Sequence, residues 1–185
     1  MGSEMCIRDR GIEVPERAQY LRVIWVEMSR IHSHLLWLGL LADALGFESL
    51  FMESWRVREK ILDMFDETTG GRIIHSVNQV GGVQRDMDSA MLKHLLETIR
   101  DIERDLKPLV DTFLKDYTVQ SRLKGTGILK KDDAILLGAV GPMLRASGVE
   151  YDARVLGYGA YKHLSVEPII SADGDCYGRC EVRLK

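Results

Sequence analysis

The chain is predicted to be mainly α, a bundle core of long helices with irregular loops and minor extended segments. Three observations carry this reading. Pro15 to Gly46 holds an apolar stripe at helical spacing, and Asp86 to Tyr117 holds a second. Gly-Gly pairs at Gly70-Gly71 and Gly81-Gly82 punctuate the periodic runs. With 185 residues, 45% of them apolar, the chain is long enough for one real core and is globular in composition.

The first helix is expected over Pro15 to Gly46. Pro15 suits a first turn, Glu16 sits near the positive helix end, and Gly46 is placed to close the last turn in a left-handed conformation. Ile24, Met28, Ile31, Leu35, Leu38, Ala42 and Leu45 recur at alternating intervals of four and three, which is one helical stripe. Trp25, Leu36, Trp37, Leu40 and Leu41 make most of the remaining circumference apolar, so the helix is expected to be central. Glu27, Arg30 and His34 interrupt it in the middle turns. They are i,i+3 and i,i+4 neighbours on one face, and they are expected to be buried. A buried ion costs several kcal/mol unless paired. The triad is therefore either a structural ion pair that fixes helix register or a proton-path element beside a redox centre.

A second helix is expected from Ser49, a plausible N-cap, to Thr69, with Phe51, Trp55, Leu62 and Phe65 on one side and Gly70-Gly71 as its stop. Arg72 to Val80 is β-branched in part and reads as extended, leading into the Gly81-Gly82 loop. The third helix, Asp86 to about Tyr117, buries Met91, Leu95, Thr98, Ile102, Leu106, Leu109 and Phe113 and exposes Lys93, Glu97, Arg100 and Arg104. Asp86 is placed to cap it, and Pro108 is expected to kink or divide it. Beyond Thr118 the elements are short: Val119–Lys124, Lys131–Leu137 and Pro142–Ser147 as helical turns, Leu156–Ile170 irregular, and a helix start in Asp173–Lys185.

Composition excludes several classes of function. Net charge is −3 with dispersed positive residues, so no nucleic-acid footprint is present. Leu35 to Ala42 is the longest apolar run and is far too short to cross a bilayer. Three cysteines do not make a disulfide framework. Met1 to Arg10 does not join Gly11 by pattern and reads as a leader or assembly artefact, so Cys6 is set aside. Residues 11–185 are then expected to be an internal part of one helical domain.

No metal site is predicted. His32 and His34 point to different helix faces, and His75, His94 and His163 have no ligand at helical spacing. Cys176 and Cys180, in C-x3-C spacing, read as free thiols. Gly81-Gly82-Val83-Gln84-Arg85-Asp86 lacks the G-x-G-x-x-G pattern of a dinucleotide loop, and Gly138 to Gly148 lacks both that pattern and a phosphate-binding lysine. Arg145, Asp152 and Arg154 form the last polar cluster, either a surface salt bridge in a turn or part of a site.

A series of blocks carries a family resemblance. Val14-Pro15-Glu16-Arg17-Ala18-Gln19-Tyr20-Leu21-Arg22 is followed by Glu27-Met28-Ser29-Arg30-Ile31-His32-Ser33-His34. Arg56-Val57-Arg58-Glu59-Lys60-Ile61-Leu62-Asp63, Gly81 to Asp86, Gly141-Pro142-Met143-Leu144-Arg145-Ala146-Ser147-Gly148, Asp152-Ala153-Arg154 and Gly174-Asp175-Cys176-Tyr177-Gly178-Arg179 complete it. In this order the blocks resemble the large catalytic subunit of energy-converting, membrane-bound nickel–iron hydrogenases. They are similar too to that protein's relative, the D subunit of NADH–quinone oxidoreductase, respiratory complex I. His32 and Gly46-Phe47 lean toward the hydrogenase branch.

The resemblance implies an oxidoreductase that couples proton reduction or hydrogen oxidation to ion translocation, with quinone reduction as the alternative of the complex I branch. It implies a nickel–iron centre in a full-length hydrogenase parent, iron–sulfur clusters on a partner small subunit, and further hydrophilic-arm and membrane subunits. The place implied is the cytoplasmic face of the membrane, held there by partners. Glu27, Arg30, His34, Arg145, Asp152 and Arg154 become candidate proton-path or supporting residues, and Arg85 and Asp86 a candidate cavity loop. The family's nickel–iron ligands are two C-x2-C pairs, neither of which occurs in these 185 residues, so the chain alone is expected to bind no cofactor and to be inactive. Leu156-Gly157-Tyr158 stands where the family usually has Pro-Tyr, and Ala44 where it often has an acid. A helical scaffold without redox chemistry is the alternative from another class.

Overall fold

The computed structural model describes residues 11–185. Cys6 and the decapeptide before Gly11 lie outside them. The described chain is mainly α, as its periodicity predicts. It divides into two compact units, one ending at Leu106 and the other beginning at Lys107.

In the first unit, α1 spans Glu16–Ala44 and α2 spans Glu48–Thr69. Two short strands follow, β1 at Asn78–Gln79 and β2 at Gly82–Val83, paired antiparallel with Asn78 opposite Val83. The extended segment expected over Arg72 to Val80 is therefore only a two-residue strand at its end. α3 runs Ser89–Lys115 and continues through the division between the units.

α1 and α2 pack along each other, and their contact is close because one residue is small. A Cβ on Gly39 would lie 2.9 Å from Trp55 Nε1 and 3.3 Å from Ser54 Oγ. Ser54 is fully buried and donates to the Leu35 carbonyl at 2.7 Å, which satisfies its hydroxyl inside the interface. The core of this unit gathers Leu21, Trp25, Met28 and Leu35 from α1, Val57, Ile61, Met64 and Phe65 from α2, Val77 and Met87 from the connecting loop, and Leu95 and Ile102 from α3. Trp25 Nε1 donates to Thr68 Oγ1 at 3.1 Å, so the largest α1 side chain in this core keeps its polar atom paired. α1 is not covered all round, since Leu40 is 53% exposed.

Three local expectations are corrected. Ser49 lies inside α2, whose N-cap position is Phe47, so it caps nothing. Asp86 does not cap α3; Asp88 does, its Oδ1 accepting from the Met91 N–H at 2.8 Å, while Asp86 accepts from its neighbour Met87 N–H. Pro108 does not divide α3, which is one helix over Ser89–Lys115. Proline has no N–H to bond, and flanking turns can hold the helix together when its apolar face is buried, here by Leu109 and Phe113. The helix stops expected at Gly46 and Gly70 hold, with Gly70 at φ 79° and its N–H donating to the Asp66 carbonyl.

The second unit contains the end of α3, then α4 (Tyr117–Leu123), α5 (Lys131–Leu136), α6 (Gly141–Arg145), two 3-10 turns at Ala153–Leu156 and Gly159–His163, and α7 (Cys176–Leu184). Its helices are too short to be stable alone. Backbone hydrogen bonds between loops hold them: Leu129 N–H to Gly174 O at 2.8 Å, Gly174 N–H to Ala146 O at 2.8 Å, Cys176 N–H to Thr126 O at 2.9 Å and Ser171 N–H to Arg145 O at 3.1 Å. Asp175, 7% exposed, caps α7 through Gly178 N–H at 2.8 Å and accepts from Gly125 N–H at 2.8 Å with its other oxygen.

Gly174 is the residue that these bonds demand. Its φ is +66°, and a Cβ there would lie 2.6 Å from the Leu129 carbonyl oxygen. Gly174→Ala is expected to destabilise the chain by about 1–3 kcal/mol, through left-handed strain and a backbone clash together. Urea melts that match the unaltered chain would show that this turn tolerates a side chain.

Candidate functional site

The predicted site residues fall into three places. The first is the middle of α1. Arg30 and Glu27 pair in bidentate fashion, Nε to Oε2 at 3.0 Å and Nη2 to Oε1 at 3.2 Å. Their side chains are 31% and 32% exposed, so the expected burial is not found. His34, one turn on, is half-buried. The apolar stripe of α1 turns toward Met28, Leu35 and Leu38, and the polar triad lies off that stripe at its border with water. An i,i+3 pair so exposed contributes about 0.3–0.5 kcal/mol.

The second place is the loop before α3. Arg17 Nε donates to Asp86 at 2.8 Å, and the Asp86 carboxyl is held below its ordinary pKa, chiefly by that bond and then by the Met87 N–H. Arg22 Nη2 donates to the carbonyls of Gln79 and Gly82 at 2.8 and 2.9 Å, so α1 grips the hairpin. Arg85 lies across the α2 C-terminus, its Nη2 2.7 Å from where a Gly70 Cβ would be. A cation there complements the negative helix end. Glu67, Arg85, Asp86 and Asp88 line a surface cavity of about 460 Å3.

The third place lies in the second unit and is the most completely built. Asp152, with a side chain 3% exposed, receives Arg145 Nη1 at 2.9 Å and Arg154 Nη2 at 2.8 Å on Oδ2. Its Oδ1 accepts from Arg154 Nε at 3.0 Å and from the Arg154 N–H at 2.9 Å, which caps the 3-10 turn. Arg145 is only 5% exposed. The surface salt bridge considered from the sequence is thus a buried cluster. Its carboxyl pKa is lowered to about 2, first by the Arg154 side-chain bond, against the opposing effect of burial. Asp152 is therefore a fixed anion near neutral pH and does not exchange protons there. Asp152 borders a cavity of about 680 Å3 that Glu150, Tyr151, Val155 and Glu167 also line.

The cysteines do not fit a nickel–iron centre. Cys180 is buried, and burial pushes its thiol up to about 12, whereas the thiolate is the metal ligand. Cys176 accepts from Arg179 Nη1 at 3.4 Å, and no third donor joins the two: among the described residues no group of three His, Cys, Asp or Glu is placed to hold a metal ion. No helix among the described residues is long and apolar enough to cross a membrane.

The sequence reading missed Arg58, which is 7% exposed and donates through Nη2 to His32 Nε2 at 2.6 Å. A signal was present. Ser54, Val57, Arg58, Ile61, Leu62 and Phe65 follow helical spacing, and all six are buried, so Arg58 stands inside the buried stripe of α2.

Comparison with known proteins decides the family. The family of the respiratory-chain NADH dehydrogenase 49 kDa subunit matches residues 44–185. The chain belongs to that family. It is 38% identical over 182 residues to the membrane-bound hydrogenase alpha subunit of Pyrococcus furiosus, covering 94% of this chain and 43% of that protein. It is 42% identical over 182 residues to the NADH-quinone oxidoreductase C/D subunit of Bacteroides thetaiotaomicron, covering 97% of this chain and 34% of that protein. Among solved structures, a chain of the membrane-bound sulfane sulfur reductase, an archaeal respiratory membrane complex, superposes with a TM-score of 0.87 at 33% identity, over 94% of this chain and 49% of that one. The chain thus spans less than half the length of these relatives. Both branches of the 49 kDa family that the sequence motifs resemble are represented among them.

The buried cluster and the exposed pair should respond differently to substitution. Asp152→Asn is expected to cost about 3–5 kcal/mol, because it leaves two guanidiniums without their buried anion. The folded pKa lies below the ordinary 3.8, so the unfolded chain binds the proton first as pH falls. The stability from Asp152 is complete above about pH 4 and is lost toward pH 2; denaturant melts over that range should lose this slope in the Asn variant. For Glu27→Gln and Arg30→Met, the double variant is expected to lie within about 0.5 kcal/mol of the sum of the singles. A larger coupling in urea melts would mean that the pair is shielded from water.

Proposed function

We propose that this chain is part of the large subunit of a membrane-associated energy-converting nickel–iron hydrogenase, in which hydrogen or proton redox chemistry is coupled to ion translocation. The carrying observation is the 38% identity to a membrane-bound hydrogenase alpha subunit over 94% of this chain. The nickel–iron centre would be held by cysteines that these 185 residues do not contain. Iron–sulfur clusters would reside on a partner small subunit, with hydrophilic-arm and membrane subunits completing a complex at the cytoplasmic face of the membrane.

In that setting the chain's own residues supply fixed charge and proton-holding groups. Arg145, Asp152 and Arg154 form a buried cluster of fixed charges beside the cavity that Asp152 borders. Glu27 and His34, at the wet border of α1, are the groups able to pass protons, with Arg30 holding Glu27 in place. Arg85 and Asp86 line the cavity loop.

A second reading, the D subunit of a quinone-reducing complex I, is favoured by the 42% identity to an NADH-quinone oxidoreductase C/D subunit. The two separate experimentally in the intact complex purified through a tag on this chain. The first reading expects stoichiometric nickel and hydrogen-dependent viologen reduction, with turnover slowed by Glu27→Gln at unchanged nickel content. Nickel-free preparations that reduce quinone would establish the second. Preparations without an iron–sulfur protein would overturn both and leave a scaffold. The 185-residue chain alone is expected to take up no nickel in elemental analysis.

A further inference from the structure

Arg58 is a buried cation whose side-chain hydrogen-bond partner is a nitrogen base. A guanidinium donates only, so His32 Nε2, 2.6 Å from Arg58 Nη2, must be the accepting nitrogen. The imidazole is therefore neutral, with its proton on Nδ1. Arg58 Nε is buried without a partner, and Arg58 Cζ lies 4.8 Å from the Trp55 ring centre, which returns part of the lost hydration. Among the described residues no carboxylate lies within ion-pairing distance of Arg58, His32 or His75, and Glu59 acts on Arg58 only at longer range.

A second imidazole stands behind the first. Phe65, 1% exposed, meets the His32 ring edge-on at 6.3 Å and stacks on the His75 ring at 3.9 Å and 15°. His75 Nδ1 is 3.2 Å from Thr69 Oγ1. The charged and titratable groups facing His32 are thus Arg58 from α2 and His75 from the segment after α2. Both oppose a proton on His32, and nothing anionic among the described residues favours it.

We propose that His32 and Arg58 form an acid-released latch between α1 and α2: the neutral imidazole accepts the guanidinium's bond, and a proton on Nε2 replaces that bond with two adjacent cations. The His32 pKa is lowered from the ordinary 6.5 by burial, then by Arg58, then by His75. The His75 pKa is lowered by burial, against a backbone bond with Gly71. For a group lowered on folding, the stability it confers is complete above the unfolded value and falls as pH drops through the interval to the folded value. The latch therefore holds near neutral pH and weakens in acid, loosening the helix pair around Phe65.

The experiment is a set of urea melts of the full chain between pH 8 and pH 5, with His32→Gln beside it. Glutamine keeps an uncharged acceptor for Arg58 and cannot titrate. Below pH 6.5 the folding equilibrium constant of the unaltered chain should fall by up to about tenfold more per pH unit than that of His32→Gln. Histidine Cε1 hydrogen exchange, read by mass spectrometry on the unaltered chain, should place the His32 midpoint below 6.5. Arg58→Met should move that midpoint upward. An equal pH slope in His32→Gln, or a His32 midpoint at or above 6.5, overturns the latch. If His32→Gln does not fold, the exchange midpoint of the unaltered chain decides.

Discussion

The close approach of α1 and α2 is the contact on which the first unit depends. It requires a residue without a side chain at Gly39, because Trp55 and Ser54 occupy the space that a Cβ would take. Once the helices are that near, Ser54 can reach the Leu35 carbonyl and the stripe of α2 closes over that of α1. Interiors are packed to crystal-like density, so a methylene of extra separation would be felt along the whole interface. Arg58 and His32 are drawn into the same interface, where the cation is paired with a base instead of an acid.

The second unit solves the opposite problem. It has no long helix of its own apart from the last turns of α3, and its short elements gain little from helix propagation. Buried carboxylates take the organising role. Asp175 ties the loop at Gly125 to the start of α7, and Asp152 ties α6 to the 3-10 turn that follows it. Each carboxylate satisfies several donors at once, so the loops carry few unmet polar groups into the interior. Arg145 and Arg154 share Asp152, so one carboxylate anchors two guanidiniums.

The two units hold their charges in different ways. Asp152 is held as an anion near neutral pH by the Arg154 and Arg145 side chains. At the edge of α1, Glu27 is held by Arg30 through two hydrogen bonds. The half-exposed position of that pair makes it a weak contributor to stability, and it leaves its carboxylate in reach of water.

The sequence by itself determined the helical class, the extents of α1, α2 and α3 to within a few residues, the family, and the grouping of Arg145 and Arg154 with Asp152. Each of these rests on local periodicity or on residue types in fixed order, which the chain displays without being folded. Only the tertiary structure decided how deeply charge is buried. Glu27 and Arg30 looked buried because their helix is apolar nearly all round, yet burial depends on which face the neighbouring helix covers. Arg58 lies on the buried stripe of α2, and only the packing of α1 against it sets its guanidinium beside His32. Capping by Asp88 in place of Asp86, and continuity of α3 through Pro108, were decided in the same way. Both turn on whether packing energy outweighs a local preference of about 1–3 kcal/mol, a comparison for which the sequence supplies only one side.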